Sequence, residues 1–175
     1  MQKQYIAHVD SKDNFIGPIE KWEAHEKGIL HRAFTVILKY EDQIILQHRR
    51  HPVFDDVFDT TISSHQLILD DKIQSDEKSV ALCLKREWGV DKSDLKSNPI
   101  LKGKIYYRAK DSNSKYIEHE YCRVYDCNLK KLTLPNLEFA YGTSLKTIGE
   151  LKNENSNTYK MLAPWVVEII KNGLV

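Results

Sequence analysis

The sequence predicts an α+β domain built on a mixed β-sheet. Three observations carry that expectation. β-Branched and aromatic residues recur in short runs separated by turn clusters, only a few segments have helical spacing, and 175 residues suffice for one domain, 1–175, with a core and a ligand pocket.

In chain order, Gln4 to Val9 alternates loosely and Asp10-Ser11-Lys12-Asp13-Asn14 turns it toward Phe15-Ile16-Gly17-Pro18, the pattern of a hairpin. Glu20 to Lys27 reads as a short helix stopped by Gly28. Leu30 to Leu38 and Gln43 to Gln47 flank the Glu41-Asp42 turn as a second hairpin, with His31 at its start. A charged loop, His48 to Asp56, leads to a strand over Phe58–Ile62, followed by Ser63, Ser64 and His65.

Gln66 to Gln74 has no clear period, after which Ser75 or Asp76 caps a helix over Glu77–Trp88. Val80, Ala81, Leu84 and Trp88 fall at helical spacing, and Gly89 ends it. Lys102–Arg108 and Tyr116–Asp126 are strands on either side of the turn Asp111-Ser112-Asn113-Ser114. Beyond Pro135 the pattern predicts a strand near Phe139–Tyr141, a helix over Leu145–Lys152, a polar loop over Asn153–Thr158 and a last helix from Pro164.

Lysine plus arginine total 26 against 25 acids, with no basic stripe among aromatics, so no nucleic-acid partner is expected. Three cysteines, Cys83, Cys122 and Cys127, lack a CxxC pair, which argues against a disulfide framework and a zinc ribbon. The first residues lack a signal-like apolar core and no run approaches the roughly 18 apolar residues of a membrane span, so a cytoplasmic protein without a membrane partner is expected.

Glu118 and Glu120 lie two residues apart in a strand and therefore share one face. Alone, such a pair is an ordinary solvated surface. With His25, His31 and His65 it becomes a set of three imidazoles and two carboxylates, which suits Mn²⁺ or Zn²⁺ if the five converge; each histidine taken singly is equally at home on a surface or in a core.

Eight pieces then occur in an order that resembles the type 1 isopentenyl-diphosphate isomerases of the Nudix superfamily, from about Val9 to Val166. They are Glu20-Lys21-Trp22-Glu23-Ala24-His25, Leu30-His31-Arg32-Ala33-Phe34, Gln47-His48-Arg49-Arg50, Thr61-Ile62-Ser63-Ser64-His65, Glu87-Trp88-Gly89-Val90, Tyr107-Arg108-Ala109, Glu118-His119-Glu120-Tyr121-Cys122 and Ala163-Pro164-Trp165. The resemblance implies a Nudix-type sandwich with flanking helices and a small-molecule diphosphate substrate, in a monomer or homodimer. It makes His25, His31, His65, Glu118 and Glu120 ligands of a tightly held divalent metal, and Glu87 a ligand of the Mg²⁺ that accompanies the diphosphate. It further implies that Tyr107 and Glu120 move the proton at an alkene, that Trp165 faces the resulting cation, and that Lys21 and Arg50 hold phosphate.

The chain departs from that pattern at defined places. Ser63 stands where the isomerases carry a catalytic cysteine, and a hydroxyl is a much weaker acid than a thiol. Cys83 replaces a phosphate-gripping arginine, and Arg49, Lys85 and Arg86 are the candidate substitutes. The Nudix helix, which should present several carboxylates, reads Leu82-Cys83-Leu84-Lys85-Arg86-Glu87 and retains one. Isomerisation of a prenyl or related diphosphate, hydrolysis of another diphosphate, and binding without turnover therefore stand as three expectations.

Overall fold

A computed structural model describes residues 3–175. Its strands are β1 (Tyr5–Val9), β2 (Phe15–Glu20), β3 (His31–Tyr40), β4 (Gln43–Arg49), β5 (Phe58–Asp59), β6 (Thr61–Ser64), β7 (Ile68–Leu69), β8 (Lys72–Ile73), β9 (Ile100–Lys110), β10 (Ile117–Asn128) and β11 (Ala140–Lys146). The helices are α1 (Lys21–Lys27), α2 (Asp76–Trp88), α3 (Ile148–Leu151), α4 (Asn157–Lys160) and α5 (Pro164–Lys171), with a 3₁₀ turn at Lys92–Asp94.

All but β7 and β8 join one mixed sheet, in which β10 runs parallel to β3 and antiparallel to β9. The alternation of β3 divides the core. Ala33 and Ile37 pack with Ile105, Tyr107, Cys122, Trp165 and Val166 on one face, whereas Phe34, Val36 and Leu38 pack with Val80, Leu84 and Trp88 of α2 on the other. Helices therefore cover both faces, giving the expected α+β sandwich.

Local chemistry explains the helix ends. The Glu20 carboxylate accepts from Glu23 N at 2.9 Å and caps α1, and Ser75 Oγ accepts from Lys78 N at 3.3 Å and caps α2. Gly28 ends α1 at φ 61°, where an added Cβ would lie 3.1 Å from Ile117 Cγ2, so a side chain there would be both strained and tightly crowded against β10.

Four expectations differ from the fold. The strand predicted over Phe58–Ile62 is split into β5 and β6 at Thr60, because Thr61 takes φ 124° and its hydroxyl donates to Ile45 O at 2.6 Å. Residues 66–74 form the small β7–β8 hairpin, turned by Asp70 and Asp71 at φ 50° and 60°. The helix predicted from Leu145 gives way to β11, which continues to Lys146 by pairing with β4, and only Ile148–Leu151 is helical. The loop predicted over Asn153–Thr158 runs into α4. Among the described residues, no helix is long and apolar enough to cross a membrane.

Candidate metal centre and cavity

The sheet register assembles the site. Glu120 of β10 is laterally paired with His31 of β3 on one side and with Tyr107 of β9 on the other, so three side chains stand in a row across three strands. Glu118, two residues earlier, shares their face, and both glutamates are buried. Helix α1 lowers His25 onto that row, and His65 reaches it from the end of β6.

The three imidazole centroids lie 4.8, 5.0 and 5.1 Å apart, and one donor atom from each of His25, His31, His65, Glu118 and Glu120 falls within 4.8 Å of all the others. Six-coordinate bonds of about 2.1 Å place neighbouring ligands about 3 Å apart and opposite ones about 4.2 Å apart, so this cluster is close to cation-ready spacing.

Proton placement gives the same answer. His25 Nδ1 donates to Lys21 O at 2.6 Å and His31 Nδ1 to Ile29 O at 2.7 Å, which leaves each neutral ring with a bare Nε2. Those nitrogens face Glu118 Oε2 and Glu120 Oε1, each at 3.3 Å. Two acceptors that face each other in a buried site repel unless a proton or a cation lies between them. Among the described residues, His31 Nε2, His65 Nδ1 and Glu118 Oε2 have no well-directed hydrogen bond. The donor set, three nitrogens and two carboxylates, fits a divalent transition metal.

Beside this cluster opens a cavity of about 200 Å³, lined among others by Lys21, His25, Arg49, His51, Ser63, Arg86, Glu87, Tyr107, Glu120 and Trp165. Tyr107 Oη donates to Glu120 Oε2 at 2.6 Å. Burial, then the nearby Glu120 charge, pushes the Tyr107 phenol well above its usual range. Burial also pushes Glu120 upward, but contacts from His31, Glu118 and Tyr107 outweigh it and hold the carboxyl down to about 2. Burial pulls Lys21 down, against the attraction of Glu118, and burial with the Arg49 charge holds His51 down to about 3, so its ring is neutral.

On the same cavity, Ser63 Oγ lies 2.7 Å from Thr35 Oγ1 and 3.1 Å from Asp59 Oδ1. Asp59 is a residue that sequence reasoning missed. It is fully buried and organises this wall, accepting from Arg49 Nη1 and from Trp165 Nε1, each at 2.9 Å, and from Thr60 N at 2.8 Å. An acid inside an apolar strand was its one visible signal; its partner Trp165 lies 106 residues away.

The phosphate-side residues are rearranged. Arg49 lines the cavity, whereas Arg50 points away: it donates to Leu137 O at 3.1 Å and its guanidinium lies over the Tyr141 ring. Adjacent residues at a strand end face opposite ways, so only one of the pair can enter. Glu87 lines the cavity, but its Oε1 accepts from Arg86 Nη2 at 2.6 Å and its Oε2 from Gln47 Nε2 at 3.2 Å, with Cys83 Sγ at 3.5 Å. Gln47, in turn, accepts from Trp88 Nε1 at 2.6 Å.

No protein-family model matches the chain. Among solved structures it superposes on the DR0079 protein of Deinococcus radiodurans with a TM-score of 0.68 and 13% identity, covering 96% of this chain and 98% of that one. A MutT NUDIX hydrolase from Burkholderia pseudomallei gives a TM-score of 0.58 at 13% identity over 81% of this chain and 96% of that one. The fold is thus the Nudix fold. In sequence, the chain is 30% identical over 170 residues to the isopentenyl-diphosphate Delta-isomerase of Haloarcula marismortui, spanning 93% of this chain and 87% of the relative. The chain belongs to the isopentenyl-diphosphate isomerase family.

Proposed function

We propose that the protein isomerises a prenyl diphosphate, or a close analogue, by proton transfer at its alkene. The carrying observation is the Tyr107–Glu120 contact of 2.6 Å at the edge of the five-donor cage, on a small cavity that Trp165, packed against Tyr107, also lines. His25, His31, His65, Glu118 and Glu120 would hold Mn²⁺ or Zn²⁺, which when bound neutralises the two carboxylates and acts as a Lewis acid. The Tyr107 phenol, held by the Glu120 carboxylate, supplies a proton to the alkene terminus. Trp165 lines the same cavity and offers aromatic surface to the tertiary cation, and Ser63 Oγ would take a proton while passing its own to Asp59 Oδ1, to which it donates at 3.1 Å. Buried walls exclude the water that would trap the cation. Lys21 and Arg49 attract the diphosphate from the cavity lining.

The volume favours this substrate class, since about 200 Å³ is below the roughly 300–1,000 Å³ of pockets for drug-sized ligands such as nucleotides. Hydrolysis of another diphosphate is the second reading, favoured by a serine in the place of the cysteine. It is weakened because only one carboxylate of α2, Glu87, lines the cavity, the one that the resemblance pairs with Mg²⁺.

The test incubates metal-loaded protein with isopentenyl diphosphate and with a panel of nucleoside and sugar diphosphates, following allylic product and released phosphate separately. Allylic product that rises in Ser63→Cys is the expected outcome. Phosphate release that stops in Glu87→Gln, with no allylic product, replaces isomerisation by hydrolysis. Silence in both assays leaves a binding protein.

A further inference from the structure

Arg86 and Glu87 are consecutive residues of α2, and both line the cavity. Their ion pair, Arg86 Nη2 to Glu87 Oε1 at 2.6 Å, is oddly placed for surface decoration, because Glu87 is 7% exposed while the Arg86 side chain is half exposed. The guanidinium therefore stands between a buried carboxylate and open cavity. A cation in that position has the geometry of a bridge, with one edge on Glu87 and its other N–H groups available to an incoming anion.

The surroundings of Glu87 suit that bridge better than a hard metal ion. Mg²⁺ demands an octahedron of oxygens, built from carboxylates, phosphates and water. The groups around this carboxylate are a guanidinium, the Gln47 amide at 3.2 Å and the Cys83 thiol at 3.5 Å. All three are hydrogen-bond donors, one of them through a soft sulfur, and no second carboxylate comes from α2, whose other acids, Asp76 and Glu77, lie in its first turn. The Arg86 guanidinium is further seated 5.4 Å over the Phe139 ring, with Nη2 3.3 Å from Cys83 Sγ, which fixes the fork in place.

We infer that Arg86, anchored by Glu87, takes the place of the second metal ion and binds the phosphate end of the substrate directly, so that phosphate recognition in this protein does not require Mg²⁺. Planar guanidinium N–H pairs match phosphate oxygens two at a time, and a carboxylate on the far edge keeps the fork oriented. Lys21 and Arg49 add charge from the same cavity. This inference rests on the reading that a diphosphate enters the cavity.

Binding of inorganic pyrophosphate to the metal-loaded protein, measured calorimetrically in resin-treated buffer without Mg²⁺ and again with millimolar Mg²⁺, tests it. Wild type is expected to bind equally well in both once the Mg²⁺–pyrophosphate equilibrium is accounted for. Arg86→Ala is expected to lose about tenfold or more in affinity without Mg²⁺, the equivalent of a charge-assisted hydrogen bond, and to regain part of it when Mg²⁺ is added, because Glu87 is then unpaired. The regain is expected to vanish in Arg86→Ala/Glu87→Gln. Wild-type binding that needs Mg²⁺ overturns the inference while leaving the diphosphate reading intact, as does wild-type affinity of Arg86→Ala in Mg²⁺-free buffer. Absence of pyrophosphate binding under both conditions overturns the diphosphate reading, and the inference falls with it.

Discussion

Tyr107 and Glu120 are cross-strand partners whose side chains meet at 2.6 Å, and their acidities are driven apart. The phenol is pushed up by burial, and the carboxyl is held down to about 2. At neutral pH the shared proton therefore resides on Tyr107. Tyr107→Phe is expected to lower turnover by about 100-fold or more, the scale of general acid catalysis, while leaving metal content unchanged. Allylic product formation and metal analysis on the same preparation check it.

His65→Ala removes one of five donors and should lower bound metal per chain, together with the melting temperature of the loaded protein. A ligand present at 100 times its dissociation constant stabilises by about 2.7 kcal/mol, so chelation of wild type should lower its melting point visibly and chelation of the variant should not. Equal responses to chelator would contradict the cage.

Asp59→Asn leaves the Arg49 guanidinium in a buried site, 6% exposed, without its counter-charge. Breaking a buried pair in this way costs about 3–5 kcal/mol, which urea unfolding would reveal. Removing both charges in Arg49→Met/Asp59→Asn should recover most of that loss, and Trp165 emission should shift in both variants, since its Nε1 donates to Asp59.

Asp76 begins α2 and accepts from Arg123, from Tyr125 and from Gln66. Burial pushes its pKa up, but these bonds outweigh it, and the carboxyl titrates below its usual 3.8. A lowered folded value means that the stabilisation is complete above about pH 4 and is lost as pH falls through the folded value. Asp76→Asn should therefore be less stable than wild type at neutral pH, and the gap should close in strong acid.

Much of the site was legible because it depends on residue type and chain order. Five candidate metal-donor positions, a strand with two acids on one face and the Glu87-Trp88-Gly89 end of α2 could be read without coordinates. Convergence was not legible, since His25, His65 and Glu120 are brought together by sheet register and a helix end. Asp59 and Gln47 escaped for the same reason: their partners, Trp165 and Trp88, lie far along the chain.

Alternation and capping chemistry by themselves determined most strands, the start and stop of α1 and α2, and the sidedness of Glu118 and Glu120, because these are local properties of the backbone. Tertiary structure alone decided the rest. It chose Arg49 over Arg50 for the cavity, since neighbours at a strand end cannot face the same way, and it turned Leu145–Lys146 from helix to strand because β4 offered a pairing edge. It also set Arg86 against Glu87, a contact between adjacent residues whose meaning comes from the cavity beside them.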